Sequence, residues 1–226
     1  MNTTTKSQDI NQAATVLHYL VKEPNITTDK TPLAILLHGV GSNEQDLFSF
    51  AGQLPGNFLV VSARAPNTLR EGSYAWFQVD FSSGNPVINP QQAEKSRKLL
   101  IEFISQLKGI YSFDDKEVYL CGFSQGGIMS YSVGLTMPGL ICGIAVMSGR
   151  LLEEVKPLIA PKENLQQLKV FISHGTNDNT LNIEYARAGK AFLKTLNINP
   201  TYKEYLHGHG INNEMLLDLV NWLNKK

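Results

Sequence analysis

The sequence predicts an α/β fold in which helices cover both faces of a mostly parallel central sheet. Three observations predict it: short continuous apolar runs, amphipathic helical segments that alternate with them, and the chain length. The run at 33–38 has no polar residue before His38, which is typical of a strand buried on both sides. Such runs alternating with helices indicate βα units. The 226 residues suit a single domain over 1–226, with 1–14 as a flexible N-terminal segment.

The first strands precede a long connection. An early strand at 15–21 mixes polar and apolar positions and is therefore expected at an edge of the sheet, and buried strands follow at 33–38 and 58–62. The connection over 65–89 is longer than most loops. We expect it either to be functional or to carry a small hairpin near 76–81.

Helices and strands then alternate to the end of the chain. Asn89 as cap, Pro90 at the first helical position and Gln92 three residues after the cap predict the start of a helix. Gly109 marks its end. The later strands are predicted at 116–121, 140–147, 168–173 and 201–206, and the later helices at 125–137, 183–196 and 211–223. A mixed connector occupies 148–167.

Charge and composition disfavour several partners. Twenty Lys and Arg balance twenty Asp and Glu, and no basic run occurs. Nucleic acid and a polybasic membrane anchor are therefore disfavoured, because both need a concentrated positive charge. No apolar run approaches the ~18 residues of a membrane-spanning helix. A neutral surface permits a homodimer.

The N-terminus and the cysteines indicate the compartment. Residues 1–15 are polar and include Asp9, so they lack the apolar core of a secretory signal. Cys121 and Cys142 lie inside apolar runs and are expected to be buried free thiols in a reducing compartment. The cytoplasm is the expected location.

The strongest chemical signal is the pentapeptide Gly122-Phe-Ser-Gln-Gly126, which joins a predicted strand to a predicted helix. A serine on so tight a turn is crowded on both sides, and only glycine fits two residues before and after it. The helix N-terminus would stabilise negative charge at this point. Ser124 is therefore the predicted nucleophile; the alternative is a glycine-rich turn without chemistry.

A serine nucleophile needs a histidine base that a carboxylate orients. Asp178 follows the strand predicted at 168–173, and His209 follows the strand predicted at 201–206. Both would return to the edge of the sheet that holds Ser124, where ligands bind in open α/β sheets. We therefore predict Ser124, Asp178 and His209 as a catalytic triad.

Each partner has an alternative role. Asp178 could instead cap the helix near Ile183, and His209 could be a solvated loop residue. His207, nearer the end of its strand, is the alternative base. Two other histidines, His18 and His174, are expected to be structural.

Acyl transfer also needs two N–H donors that face the developing oxyanion. The first is predicted to be the N–H of Gln125, the residue after the nucleophile. The second is predicted to be Val40, because Gly39 and Gly41 on its two sides let its backbone face the site. The alternative is that His38-Gly39 is an ordinary turn that ends a strand.

An apolar wall for the acyl group is predicted from Trp76, Phe77, Leu151 and Leu152, with plain core packing as an equal alternative. Metal and cofactor sites are not expected. The histidines show no HExxH or comparable spacing, the cysteines are single, and neither a P-loop nor a dinucleotide-binding glycine motif occurs.

These motifs together resemble the α/β-hydrolase superfamily, and within it the carboxylesterase, phospholipase and acyl-protein thioesterase group of small serine hydrolases. The segments that carry the resemblance are Leu37-His-Gly-Val-Gly41, Ala65-Pro66, Tyr74-Ala-Trp-Phe77, Gly122-Phe-Ser-Gln-Gly-Gly127, His174-Gly-Thr-Asn-Asp178 and His209-Gly-Ile211. The resemblance implies an α/β-hydrolase fold, the same triad and the same two oxyanion donors. It favours His209 over His207, because the family's histidine is followed by glycine and an apolar residue.

Two features depart from the family pattern. Asn177 and Asn179 surround the aspartate where members vary, and the connector at 148–167 matches no family segment.

The Tyr-Ala-Trp-Phe segment looks like that of bacterial members, in which it borders the acyl or alcohol pocket.

The predicted function is hydrolysis of a small-molecule carboxylic ester or thioester through an acyl-enzyme, without a cofactor. Two alternatives stay open at this point. One is a serine peptidase or aminopeptidase on the same fold. The other is a non-catalytic relative that only binds a ligand.

Overall fold

A computed structural model describes residues 15–26, 28–80, 82 and 87–225; the predicted N-terminal segment 1–14 and Phe81 lie outside this range. Within it the strands are β1 (Tyr19–Lys22), β2 (Leu33–Leu37), β3 (Leu59–Ala63), β4 (Asn67–Arg70), β5 (Ser73–Ala75), β6 (Val79–Asp80), β7 (Val87–Ile88), β8 (Val118–Phe123), β9 (Gly143–Met147), β10 (Lys169–Gly175) and β11 (Thr201–Tyr205). The helices are α1 (Glu44–Phe48), α2 (Pro90–Ile110), α3 (Gln125–Thr136), α4 (Glu184–Thr195) and α5 (Asn213–Leu223).

Seven strands form the central sheet in the order β1-β3-β2-β8-β9-β10-β11. The edge strand β1 is antiparallel to β3, and the other neighbouring strands are parallel. Every residue of β2, β3 and β9 is buried, as their apolar sequences require for strands covered on both faces. The mostly parallel sheet and the edge position of the first strand confirm the prediction.

Helices pack on both faces of this sheet. Leu47 of α1 and Leu216 of α5 belong to the apolar core on one face. Leu100 of α2, Met129 of α3 and Leu193 of α4 belong to the core on the other face. The predicted cap of α2 is confirmed, because Asn89 Oδ1 accepts the Gln92 N–H at 3.0 Å.

The register brings the ends of the central strands to one edge. Leu37 at the end of β2 pairs with Gly122 of β8, and Met147 at the end of β9 lies opposite both Phe123 and Ser173. The turns that follow these strands therefore converge, which is the placement that the sequence predicts for the candidate residues.

Two segments differ from the prediction, and the structure adds detail to a third. The short helix α1 was not predicted, because its five residues are too few to show a helical period. The long connection holds two strand pairs, β4 with β5 and β6 with β7, rather than one hairpin near 76–81. The additional pair, β4 with β5, is joined by a turn at Gly72, whose φ of +71° suits glycine. The connector at 148–167 contains two 3₁₀ turns, Glu153–Leu158 and Lys162–Leu165.

Candidate active site

Ser124 occupies a strained turn between β8 and α3, with φ 53° and ψ −115°. This region of φ is sterically unfavourable for a residue with a side chain. The neighbouring glycines are required by space: a Cβ on Gly122 would lie 2.1 Å from the Gly126 carbonyl oxygen, and one on Gly126 would lie 1.9 Å from that of Leu37. The turn therefore holds the serine at the edge of the sheet against close backbone on both sides.

The three residues of the predicted triad meet at this turn. His209 Nε2 lies 2.9 Å from Ser124 Oγ, although the two residues are 85 positions apart. His209 Nδ1 lies 2.6 Å from Asp178 Oδ2. The Phe123 ring packs against the imidazole at 5.0 Å between centroids. A serine hydroxyl, an imidazole and a carboxylate thus form one continuous hydrogen-bonded row.

The Asp178 carboxylate uses its two oxygens for different purposes. Oδ1 accepts the N–H groups of Thr180 and Leu181 at 2.9 and 2.8 Å, whereas Oδ2 faces His209. The side chain thus stabilises its own turn and orients the histidine at the same time. The predicted alternative, a cap for α4, does not apply, because Asn182 Oδ1 accepts the Glu184 N–H at the start of that helix.

A second histidine lies beneath the carboxylate. His174 is fully buried; its Nε2 lies 2.7 Å from the Leu181 carbonyl oxygen and 3.3 Å from Asp178 Oδ2. Burial lowers the pKa of His174 below its usual value, so this ring is neutral at pH 7 and donates from Nε2. Its contacts agree with the structural role that the sequence predicts.

His207, the alternative base, makes no hydrogen bond to Ser124 or Asp178 in the part of the chain that the structure describes. Its carbonyl oxygen accepts the Asn177 N–H at 3.0 Å, and its ring lies over Gly210. It closes the loop that carries His209.

The two predicted oxyanion donors belong to the residue after the nucleophile and to the loop at 38–42. Neither the Val40 N–H nor the Gln125 N–H has an acceptor among the described residues. A Cβ on Gly39 would lie 3.4 Å from Ser124 Cβ, so the loop that carries Val40 packs directly on the serine. Two unpaired N–H groups beside a nucleophile can bind a negatively charged oxygen.

We call residues 38–42 the oxyanion loop, after the oxyanion donor that the sequence predicts at Val40. Its buried His38 accepts the Ala65 N–H at Nε2 (3.0 Å) and therefore carries its proton on Nδ1, 2.7 Å from the Gly39 carbonyl oxygen. Burial lowers the pKa of His38. The neutral ring thus ties the start of the loop to the segment that follows β3.

A partly buried ion pair lies just after the oxyanion loop. Arg64 Nε donates to Glu44 Oε2 at 2.6 Å, and its guanidinium lies over the Tyr74 ring at 4.6 Å. Burial alone raises the pKa of Glu44, but the hydrogen bonds and charge of Arg64 outweigh it, and the pKa is lowered overall. This pair joins α1 to the β4–β5 hairpin that supports the loop.

The side chains predicted as an apolar wall follow the equal alternative, which is packing in the core. Trp76, Phe77 and Leu152 are at most 1% exposed and pack in the core, and Leu151 packs against that core. Trp76 Nε1 donates to the His38 carbonyl oxygen at 3.0 Å. Core packing, the equal alternative, therefore describes these side chains, and Leu152 also borders a separate cavity of 600 Å³ that Pro90 and Arg97 help to line.

An open groove lies next to Val40 instead. It has a volume of 760 Å³. Its apolar lining consists of Val40, Leu69, Val79, Val87, Ile88 and Pro90, and its polar lining consists of Gln78, Asp80, Asn89 and Gln91. Sequence analysis missed this surface, although apolar residues in a polar, glycine-bearing connection were a signal that could have indicated it.

Neither a metal-binding cluster nor a membrane-spanning helix occurs within the described ranges. No group of three His, Cys, Asp or Glu side chains there could hold a metal ion. No helix in the same ranges is both long and apolar enough to cross a bilayer.

Comparisons with known proteins identify the family of this chain. The model of a family described as phospholipase/carboxylesterase matches residues 20–226. A probable carboxylesterase, SOBER1-like, from Arabidopsis thaliana is 32% identical over 212 residues, which cover 84% of this chain and 77% of the relative. Acyl-protein thioesterase 1 from Mycosarcoma maydis is 28% identical over 198 residues, which cover 79% and 82%.

Two solved structures share the fold. The Bacillus cereus carboxylesterase superposes with a TM-score of 0.79 at 22% identity, covering 94% of this chain and 96% of that one. Arabidopsis thaliana SOBER1 superposes with a TM-score of 0.72 at 25% identity, covering 85% and 97%.

Proposed function

The chain belongs to the phospholipase/carboxylesterase family and is an α/β-hydrolase that acts on esters; from this premise we propose that it does so through a Ser124–His209–Asp178 triad and an acyl-enzyme. The observation that carries the proposal is the unbroken pair of hydrogen bonds, 2.9 Å from Ser124 Oγ to His209 Nε2 and 2.6 Å from His209 Nδ1 to Asp178 Oδ2. Both lie within the reach that proton transfer requires.

In the first step Ser124 Oγ forms a bond to the carbonyl carbon while His209 Nε2 takes the hydroxyl proton. The carbonyl electron pair moves to the oxygen. When that pair returns, the bond to the leaving group breaks, and His209 gives its proton to the departing alcohol or thiol. Asp178 holds the imidazole in the tautomer with a proton on Nδ1 and stabilises the cation that forms.

In the second step a water molecule attacks the acyl-enzyme. His209 takes one proton from the water and returns it to Ser124 Oγ as the carboxylic acid leaves. The N–H groups of Val40 and Gln125 stabilise the oxyanion in both steps. Each such donor contributes about 10²- to 10³-fold to kcat in comparable sites.

We assign the acyl group to the groove beside Val40. The groove begins at the residue that donates to the oxyanion, and its apolar lining suits a hydrocarbon chain. Relatives are named both carboxylesterase and acyl-protein thioesterase, so both an alcohol and a thiol are proposed as leaving groups.

The Ser124→Ala variant tests this mechanism. Hydrolysis of p-nitrophenyl acetate should fall by about 10⁴-fold or more, and a fluorophosphonate probe should label the native protein but not the variant. Ser132→Ala is the matched control, because it removes a buried hydroxyl two turns along the same helix. Native rates in Ser124→Ala would contradict the nucleophile assignment.

Aminoacyl anilides and the fluorophosphonate probe separate the alternative functions. A peptidase would hydrolyse aminoacyl anilides faster than esters, and a non-catalytic relative would not react with the probe. We also propose a reducing compartment such as the cytoplasm, because Cys121 (buried) and Cys142 (half-buried) are free thiols. A neutral surface permits a homodimer.

A further inference from the structure

The side-chain amide of Gln125 makes hydrogen bonds to backbone groups inside the protein. It is the first residue of α3 and only 3% exposed. Its Oε1 accepts the Trp76 N–H at 2.7 Å, and its Nε2 donates to the Phe77 carbonyl oxygen at 2.6 Å. Only one orientation of the amide satisfies both partners, since a flip would set donor against donor and acceptor against acceptor. This amide therefore binds a particular stretch of backbone rather than solvent or substrate.

That stretch of backbone also holds the oxyanion loop. Trp76 Nε1 donates to the His38 carbonyl oxygen at 3.0 Å. Two residues earlier, Tyr74 accepts the Gly41 N–H and donates to the Ser42 carbonyl oxygen, both at 2.8 Å. Residues on both sides of Val40 are thus tied to the segment 74–77.

We propose that the Gln125 side chain is a positioning group that sets the distance between the two oxyanion donors. Its own N–H is one donor, and its amide fixes the segment that orients Val40, the other. The nucleophile turn and the oxyanion loop, which come from different strands, are thereby held in one arrangement. This inference rests on the proposed acyl-transfer function and adds a residue-level account of how the site is preorganised.

Other contacts keep the segment folded when the amide is lost. The Trp76 carbonyl oxygen accepts from Asn67 Nδ2 at 2.9 Å and from Ser96 Oγ on α2. Without Gln125 the segment would stay attached to the rest of the protein, but its Trp76 N–H and Phe77 carbonyl would lack partners. The expected result is a small displacement of the oxyanion loop rather than unfolding.

The test is Gln125→Met, which keeps the length of the side chain and removes both hydrogen bonds. We expect kcat for p-nitrophenyl acetate to fall about 10- to 100-fold, with KM changed less than about threefold. A trifluoromethyl ketone, whose hemiketal with serine carries an oxyanion, should bind more weakly by the same factor by which kcat/KM falls. Ser132→Ala is the control for losing a buried hydrogen bond on α3.

Trp76→Phe provides a second variant, because it removes the indole N–H that binds His38 and keeps an aromatic ring. If Gln125 and Trp76 act on one loop, the double variant should lose less activity than the product of the two single losses. Independent, multiplicative losses would overturn the proposal.

A purely structural role predicts a different result. Gln125→Met would then lower the urea midpoint while kcat and the inhibitor constant stay at native values, and the proposal would be wrong. Its failure is distinguishable from failure of the proposed function. In the latter case the trifluoromethyl ketone would not inhibit the native protein, or Ser124→Ala would keep its activity.

Discussion

Replacing Gly126 by alanine tests whether close backbone packing at the nucleophile turn sets the geometry of the active site. The added Cβ would lie 1.9 Å from the Leu37 carbonyl oxygen and 2.8 Å from that of His38, whereas Cβ contacts below 3.0 Å are essentially never seen. The shortfall against Leu37 is about 1.1 Å. Because β2 is paired on both sides inside the sheet, the first turn of α3 must move instead.

That movement would carry Ser124 and the Gln125 N–H away from His209 and Val40. A misplacement of about 1 Å lowers rates about 100-fold in well-organised sites, and overpacking of this kind costs about 1–3 kcal/mol of stability. We therefore expect Gly126→Ala to fold with a reduced urea midpoint and to lose about 100-fold in kcat/KM for p-nitrophenyl acetate.

Gly139→Ala is the matched control, because a Cβ there meets nothing within 4 Å. It should keep native activity and change the stability by no more than about 0.5–1 kcal/mol. The assays are steady-state ester hydrolysis and urea unfolding of both variants. If Gly126→Ala matched Gly139→Ala in kcat/KM within about threefold, which is less than about 1 kcal/mol of activation free energy, the packing of the turn would not control the geometry.

Three further predictions follow from other contacts. Asp178→Asn should lower kcat for esters by about 10⁴-fold, because an amide no longer selects the required histidine tautomer; a loss of less than tenfold would contradict this role. Burial lowers the pKa of His38 and His174 from the usual 6.5, so the unfolded chain binds more protons just below pH 6.5. Above that pH neither state binds these protons, so the free energy of unfolding is at its full value, and it should decline as the pH falls from 7.5 to 5.5. An unchanged or higher urea midpoint at pH 5.5 would refute this prediction. Leu69→Ala should lower kcat/KM for p-nitrophenyl hexanoate relative to the acetate about three- to tenfold, and an unchanged ratio would remove the acyl group from the groove.

The amino-acid sequence by itself indicates the sheet and the members of the candidate site. Buried parallel strands are continuous apolar runs, so β2, β3 and β9 are visible without any tertiary information. The turns after parallel strands return to one edge. For this reason Ser124, Asp178 and His209 could be grouped from their positions after predicted strands, and the structure brings them within hydrogen-bonding distance.

Tertiary structure alone decided which surfaces are open and which polar groups meet. The indole of Trp76 looks from the sequence like a pocket wall, but it lies in the core and donates to His38, whereas Leu69 lines the groove. The Gln125 amide meets the Trp76 N–H across 49 residues of chain. Apolar periodicity reports which side of an element is buried, but not which side chain from elsewhere fills the space beside it. Those pairings depend on how the packed elements fit together in three dimensions.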